Sequence, residues 1–539
     1  MALSCLALCA CSDSFLSEEP VGELTPDQAK QNENIEGLVI SAYSVLDGQF
    51  DDASSGLNSA CSNWQFGDVV SDDAYKGGGG TGDQNQVHLM EIFNTNPTIL
   101  DFERKWLALY EGVKRCNQAM RMLRESEYPQ KEQRIAEMQF LRAHFYFNLK
   151  IIYNQIPYID ETVIDPKEYA RKSNMEFTSD ELWAKILSDL EAAYRVLPDR
   201  QADYGRPTKL AARAYMAKVY LFQSKWSECL AACNEVIGSG NYALLPNFRD
   251  VFLPENDNSS EIVFAIQCSI KDGSPNNYNG NPGDRLLPPG GPYPQYGFLR
   301  PTQNLVNAYK TTADGLPATD GKDVTQTDFV DPRLDHTVAR PNLPFLDMGL
   351  YDWTPREATV YGPYSPKKRL VSVNSTYYLT IWPYVNALNV YVIRYADVLL
   401  WKAEAAIETG DLETGRACIN QVRERAEKSQ YVRTLDGTKN AANYLVKPYA
   451  QPFASKETAL EALRTERRLE MAHEGERFFD LVRWGIAAEV INAYINKEKQ
   501  FRSHLQNAKF VKGVHEYFPI PQAVIDLCGE EVMKQNPGY

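Results

Sequence analysis

Carboxylates and guanidinium groups crowd one stretch of this chain more densely than any other, Glu466-Arg-Arg-Leu-Glu-Met-Ala-His-Glu-Gly-Glu-Arg-Phe-Phe-Asp-Leu-Val-Arg-Trp-Gly485. A pair of neighbouring carboxylates can serve as general acid and base, and here Glu470 with Glu474 or Glu476 would be that pair. The same groups can instead be salt-bridge partners that fix how two helices dock. We read them as partners. Phe478, Phe479, Leu481, Val482 and Trp484 are too apolar to face water on all sides, so Arg477, Asp480 and Arg483 among them must be partly buried and paired. Helical spacing places Leu463, Arg467, Glu470 and Glu474 on one stripe, Gly475 can end that helix in a left-handed conformation, and a second helix follows.

A second acidic group, Asp68, Asp72 and Asp73, lies beside Trp64 and Tyr75 in a polar stretch that reads as loop. Acids so grouped can hold calcium, but their spacing does not match an EF-hand, and a sugar-facing loop fits them better. Gly77 to Gly80 lack the Lys-Ser/Thr ending of a phosphate loop. Seven cysteines beyond the first residues (Cys61, Cys116, Cys229, Cys233, Cys268, Cys418 and Cys528) show no C-x-x-C spacing, and the six histidines form no H-E-x-x-H. We read the cysteines as packing residues and expect no disulfide framework, no metal and no cofactor.

What remains is recognition. A sugar ring offers a face of C–H bonds that stacks on Trp or Tyr and a rim of hydroxyls that hydrogen-bonds Asn, Asp, Gln and Arg. Aromatic residues make up 11% of the chain, with 31 Tyr, a surplus over what a core needs. The candidate ligand-binding residues are Trp64, Asp72, Asp73, Tyr75, Tyr293, Tyr296, Tyr351 and Trp353, chosen because each falls in a loop-like stretch. Tyr361, Tyr364, Trp382 and Tyr384 follow in the same texture.

The elements that must position these residues are mainly helices. From Asn34 to Leu46, and repeatedly between 98 and 240, apolar residues recur at helical spacing, and one helix from Ser179 to Leu197 is stopped by Pro198. The run Ala217–Ile237 recurs in pattern as Ala403–Arg423, with small residues at matching positions and turns at Ser224/Lys225 and Gly410/Asp411, which is tetratricopeptide-like geometry. Between Gly240 and Asn389 the chain turns irregular, with Gly and Pro punctuation and strand-like runs such as Glu261–Gln267; helices return with Tyr391–Glu404. We expect segments 12–240, 241–390 and 391–539 to form one compact unit, the middle one facing ligand.

Of the 539 residues, 56 are Lys or Arg and 71 Asp or Glu, and the net charge of −15 disfavours nucleic acid as a partner. Residues 1–11 read as a truncated leader. Leu8-Cys-Ala-Cys11 resembles a lipobox, which makes Cys11 the expected lipid attachment site and outer-membrane lipid a partner through its acyl chains.

The stretch Arg467–Gly485 resembles the C-terminal signature of the SusD/RagB family, the outer-membrane nutrient-binding lipoproteins of Bacteroidetes-type bacteria. Tyr517-Phe-Pro-Ile-Pro-Gln522 and Gln535-Asn-Pro-Gly-Tyr539 resemble that family's chain end, and Ser12-Asp-Ser-Phe-Leu16 its mature start. The resemblance implies a mainly α, SusD-like fold with tetratricopeptide-like helix pairs and a loop-rich region containing short strands. It also implies a non-catalytic protein at the outer cell surface that passes oligosaccharides or other nutrients to a SusC-like TonB-dependent transporter. Glycan contacts in the family follow no fixed motif, so no site residue carries over. Two other readings remain open: a glycoside hydrolase, and a tetratricopeptide-type scaffold for a protein partner.

Overall fold

The computed structural model describes residues 32–50, 55–277, 279–294 and 296–539; the expected leader and Cys11 lie outside the described residues. Among the described residues, nine helices that pack in succession carry the architecture: α1 (Asn32–Tyr43), α2 (Leu100–Arg124), α3 (Lys131–Tyr153), α4 (Ser179–Val196), α5 (Lys209–Phe222), α6 (Trp226–Gly238), α7 (Tyr395–Glu408), α8 (Leu412–Lys428) and α9 (Lys456–Met471). Each packs against the next, so the helices form a layered array. Helix α3 is buried on every side from Ala136 onward apart from Gln139, and its polar residues find partners there, as Arg142 does in Asp189. Helix α4 begins in a capping box of Thr178 and Glu181 and stops before Pro198.

The internal repeat is real. Hairpins α5–α6 and α7–α8 turn in the same way: the Lys225 amide donates to Tyr220 O at 3.0 Å, and the Asp411 amide donates to Ala406 O at 2.8 Å. Both turns need a left-handed residue, which Gly410 supplies at φ +95° and Ser224 at φ +55°. The array is continuous in space although its chain is not, because α6 leaves at Gly238 and its next neighbour, α7, begins at Tyr395.

Everything between is an excursion, and its ends are tied together. Strands β2 (Ile262–Ile266) and β4 (Val390–Arg394) pair antiparallel, Ile262 opposite Arg394 and Ile266 opposite Val390. The sequence assigned 391–394 to a helix; its β-branched Val390-Tyr-Val-Ile run pairs as a strand instead, and α7 starts only at Tyr395. A second tie joins β1 (Ala74–Gly77) to β3 (Phe298–Pro301). The stretch expected to be a polar loop, Asn63–Tyr75, is in fact a buried π-helical turn over Trp64–Val69 leading into β1. The excursion has its own apolar core, which includes Trp64, Tyr293, Phe298, Phe345, Tyr351 and Tyr378.

Candidate ligand-binding site

The ring-bearing surface lies on a hairpin whose two arms meet where the Leu379 amide donates to Val385 O and the Ala387 amide to Tyr377 O. Its tip is Ile381-Trp-Pro-Tyr384, closed by the Tyr384 amide donating to Ile381 O at 2.8 Å around a cis Trp382–Pro383 bond. Trp382 is 65% exposed, Ile381 70% and Tyr377 37%. Among the described residues no other tryptophan is open to solvent to this degree. Pro383 is buried, so the tip is pinned while its neighbours project.

Two features make Trp382 a platform rather than a stray ring. Tyr384 stands edge-on to it with centroids 6.2 Å apart, and the Arg285 guanidinium lies 4.6 Å from its centroid. That guanidinium has no hydrogen-bond acceptor among the described residues, and burial pulls its pKa down from the usual arginine range. Arg285 is itself only 6% exposed, so it steadies the indole, whose open face is what a sugar ring needs to stack on.

The eight residues singled out from the sequence fall in two places. Trp64, Tyr293 and Tyr351 are buried in the core beneath the hairpin, and Tyr296 and Trp353 pack half-buried against that core. They form a linked stack: Tyr293 meets Tyr378 at 5.5 Å and Phe345 at 6.3 Å, Phe345 meets Tyr351 at 5.6 Å, and Tyr351 meets Trp353 at 4.8 Å. Their polar ends are used up inside, Trp64 Nε1 donating to Gly283 O, Tyr293 OH to Val371 O, and Tyr351 OH bonding Ser365 Oγ. Asp72, Asp73 and Tyr75 lie elsewhere, deep against the signature stretch. Tyr75 OH donates to Glu498, Arg477 Nε donates to Asp72 at 2.8 Å, and Arg468 Nε to Asp73 at 2.7 Å. Burial raises the Asp72 carboxyl, but Arg468 and Arg477 hold it far below the usual range; Asp73 ends above it, pushed by burial and by Asp72. As ligand contacts, Trp64, Asp72, Asp73, Tyr75, Tyr293 and Tyr351 are therefore corrected to interior residues: loop-like composition marked chain that is irregular, not chain that is exposed. Sequence reasoning named Trp382 and Tyr384 without choosing them. A proline between two aromatic residues in an irregular region was the available signal, because it marks a turn, and turns lie at the surface.

The carboxylates considered for catalysis sit in a lattice of ion pairs. Glu470 receives Arg333 at 3.0 Å, Arg394 at 3.1 Å and Arg425; Glu474 receives Arg394 at 2.8 Å and Lys368 at 2.5 Å. Asp480 is bound by Arg467 and Arg483 as expected, and both Phe478 and Phe479 are buried. Burial raises Glu470, yet its three arginines carry it well below the usual carboxylate range. A residue without exposed surface and with every oxygen engaged cannot reach a glycosidic bond.

The chain matches the model described as SusD family over residues 260–539 and the model described as starch-binding associating with outer membrane over 54–221. It is 25% identical to SusD-like protein P25 of Formosa agariphila, covering 95% of this chain and 93% of that protein. It superposes on a structure titled laminarin binding SusD-like protein with a TM-score of 0.69 and 26% identity, over 94% of this chain and 99% of that one. A SusD superfamily protein from Bacteroides vulgatus superposes with a TM-score of 0.73 at 22% identity, over 95% and 99% of the two chains.

Proposed function

This chain belongs to the SusD family, and on that premise we propose that it captures oligosaccharide without cleaving it and delivers it to a SusC-like TonB-dependent transporter for import. The observation that carries the reading is the exposed Trp382 platform with Arg285 stacked on it. Support comes from the structure titled as laminarin binding, which shares the fold at 26% identity. The setting we propose is the outer face of the outer membrane, with the protein anchored through acyl chains on Cys11. Among the described residues no helix is long and apolar enough to cross a membrane.

The hydrolase reading loses its pair, since Glu470 is sealed inside the ion-pair lattice. The reading as a scaffold for a protein partner would leave the open rings of the hairpin unexplained.

The test is titration of the full chain and of Trp382→Ala with oligosaccharides of graded composition, followed by calorimetry, with product analysis for new reducing ends. A central stacking residue contributes about 2 kcal/mol or more, so Trp382→Ala should weaken binding roughly 30-fold. Because the ring is 65% exposed, the variant should keep the melting temperature of the parent. Binding unchanged in Trp382→Ala would refute the site, and reducing ends accumulating with time would refute capture without cleavage.

A further inference from the structure

Beside the aromatic hairpin runs a groove of about 650 Å³, lined in part by Asn374, Ser375 and Thr376 of the turn that leads into the hairpin. Three cations line it as well. Arg249 donates to Lys368 O at 2.6 Å and Leu370 O at 3.0 Å; Lys367 donates to Asp335 O at 2.6 Å and Pro344 O at 2.7 Å; Arg433 donates to Asn440 Oδ1 and Gly437 O. Every one of these acceptors is neutral.

The buried Lys76 and Lys105 ammonium groups also donate only to backbone carbonyls, but the ion-pair lattice differs. In the signature lattice Arg333, Arg394, Arg423, Arg425, Arg467 and Arg483 each bind at least one carboxylate. Arg300 also donates only to backbone carbonyls, but it has no exposed surface. Arg249 and Lys367 open onto the groove instead. Asp335 acts on Lys367 but is itself paired with Arg340 at 2.7 Å, while Asp347 and Glu255 sit exposed on the groove's rim. Arg433 and part of Arg249 are thus open to solvent on a chain of net charge −15, with Lys367 only 4% exposed.

We infer that the captured glycan is anionic, its carboxylate or sulfate groups received by Arg249, Lys367 and Arg433 while a sugar ring stacks on Trp382. This rests on the capture reading and narrows its ligand class. Both anions present a fan of oxygens that matches guanidinium and ammonium donors, so the groove as such accepts either. Burial, with Arg249 and Arg340 nearby and Asp335 opposing, pushes the Lys367 ammonium down to about 7, so a bound anion would raise it again.

The experiment is electrophoresis of the full chain through gels holding laminarin or starch as neutral polysaccharides, polygalacturonate or alginate as carboxylated ones, and carrageenan as a sulfated one, with calorimetry on whatever retards it. We expect retardation by a charged polysaccharide, the carboxylated or the sulfated kind identifying the anion. Affinity for it should fall about tenfold or more between low and high salt. Arg433→Gln, on the exposed rim, should weaken binding several-fold; Glu255→Gln, which removes a rim acid, should tighten it by roughly threefold. A gain of affinity cannot come from misfolding. Retardation by neutral polysaccharides only, lost in Trp382→Ala, would overturn the anionic ligand and leave capture standing. Charged binding indifferent to both rim substitutions would overturn it too, and retardation by no polysaccharide would sink both readings.

Discussion

Glu470→Gln tests whether the signature stretch holds the molecule together. The substitution keeps side-chain shape and removes one charge from a site with no exposed surface. Three guanidinium groups converge there, and each has a second acid: Arg333 binds Asp331 and Glu466 at 2.7 Å, Arg394 binds Glu261 and Glu474 at 2.8 Å, and Arg425 binds Glu261 at 3.1 Å. Losing the shared anion leaves buried positive charge uncompensated, and breaking one side of such a cluster costs about 3–5 kcal/mol. The urea m-value rises with chain size, and at about 5 kcal/mol/M for a chain this long the unfolding midpoint should drop by roughly 0.6–1 M. Tryptophan fluorescence and far-UV circular dichroism read the midpoint, and glycan titration well below the transition reads function. Glycan affinity should stay within about twofold, because Glu470 has no route to the ligand. A midpoint shift under about 0.3 M would refute the reasoning, since desolvation would then have cancelled what the ion pairs contribute.

Two further outcomes follow from the same region. A Cβ added to Gly67 would lie 1.9 Å from the Gly475 carbonyl oxygen, backbone against backbone, so Gly67→Ala should lower the melting temperature far more than an alanine in a surface loop; an unchanged melting curve would contradict that contact. The carboxyls of Glu470, Glu474 and Asp480 are each raised by burial but brought by neighbouring cations below their ordinary values. Their contribution is therefore fully present above the unfolded carboxylate range near pH 4.5 and is lost as pH falls through the folded values. Melting temperature should fall steeply in acid below that point, and Glu470→Gln should blunt the fall; an identical acid profile in parent and variant would exclude Glu470 as a source of it.

Periodicity made the scaffold legible and left the site obscure. Helices α2 to α6 could be placed because their apolar stripes recur with a local period, and the α5–α6 and α7–α8 hairpins because Ser224 and Gly410 mark equivalent turns. Pairing of Arg477, Asp480 and Arg483 followed from charge amid apolar neighbours. Strand β4 was misread because what makes Val390–Arg394 extended is its partner β2, far away in sequence. The ring residues failed for a related reason. Whether Tyr351 or Trp382 faces water depends on which parts of the excursion stack on which, and no window of sequence holds that information. Trp64 shows this most plainly: polar neighbours surround it in the chain, yet it lies wholly buried against Phe298 and Gly283.

The same geometry separates the hairpin tip from the frame that carries it. Strands β2 and β4 close the excursion where it leaves and rejoins the helices, and Glu261 and Arg394 at that junction are bound into the lattice centred on Glu470. Once closure is secured there, lengthening the excursion is inexpensive, about 0.6 kcal/mol for each doubling of a flexible loop. Selection on ligand can then act on tips such as Ile381–Tyr384 without disturbing the packing of α7 against α6, while a change at Glu470 reaches every element the lattice joins. In this chain the junction is where charge is matched residue by residue, and the exposed hairpin tip at Trp382 lies outside that lattice.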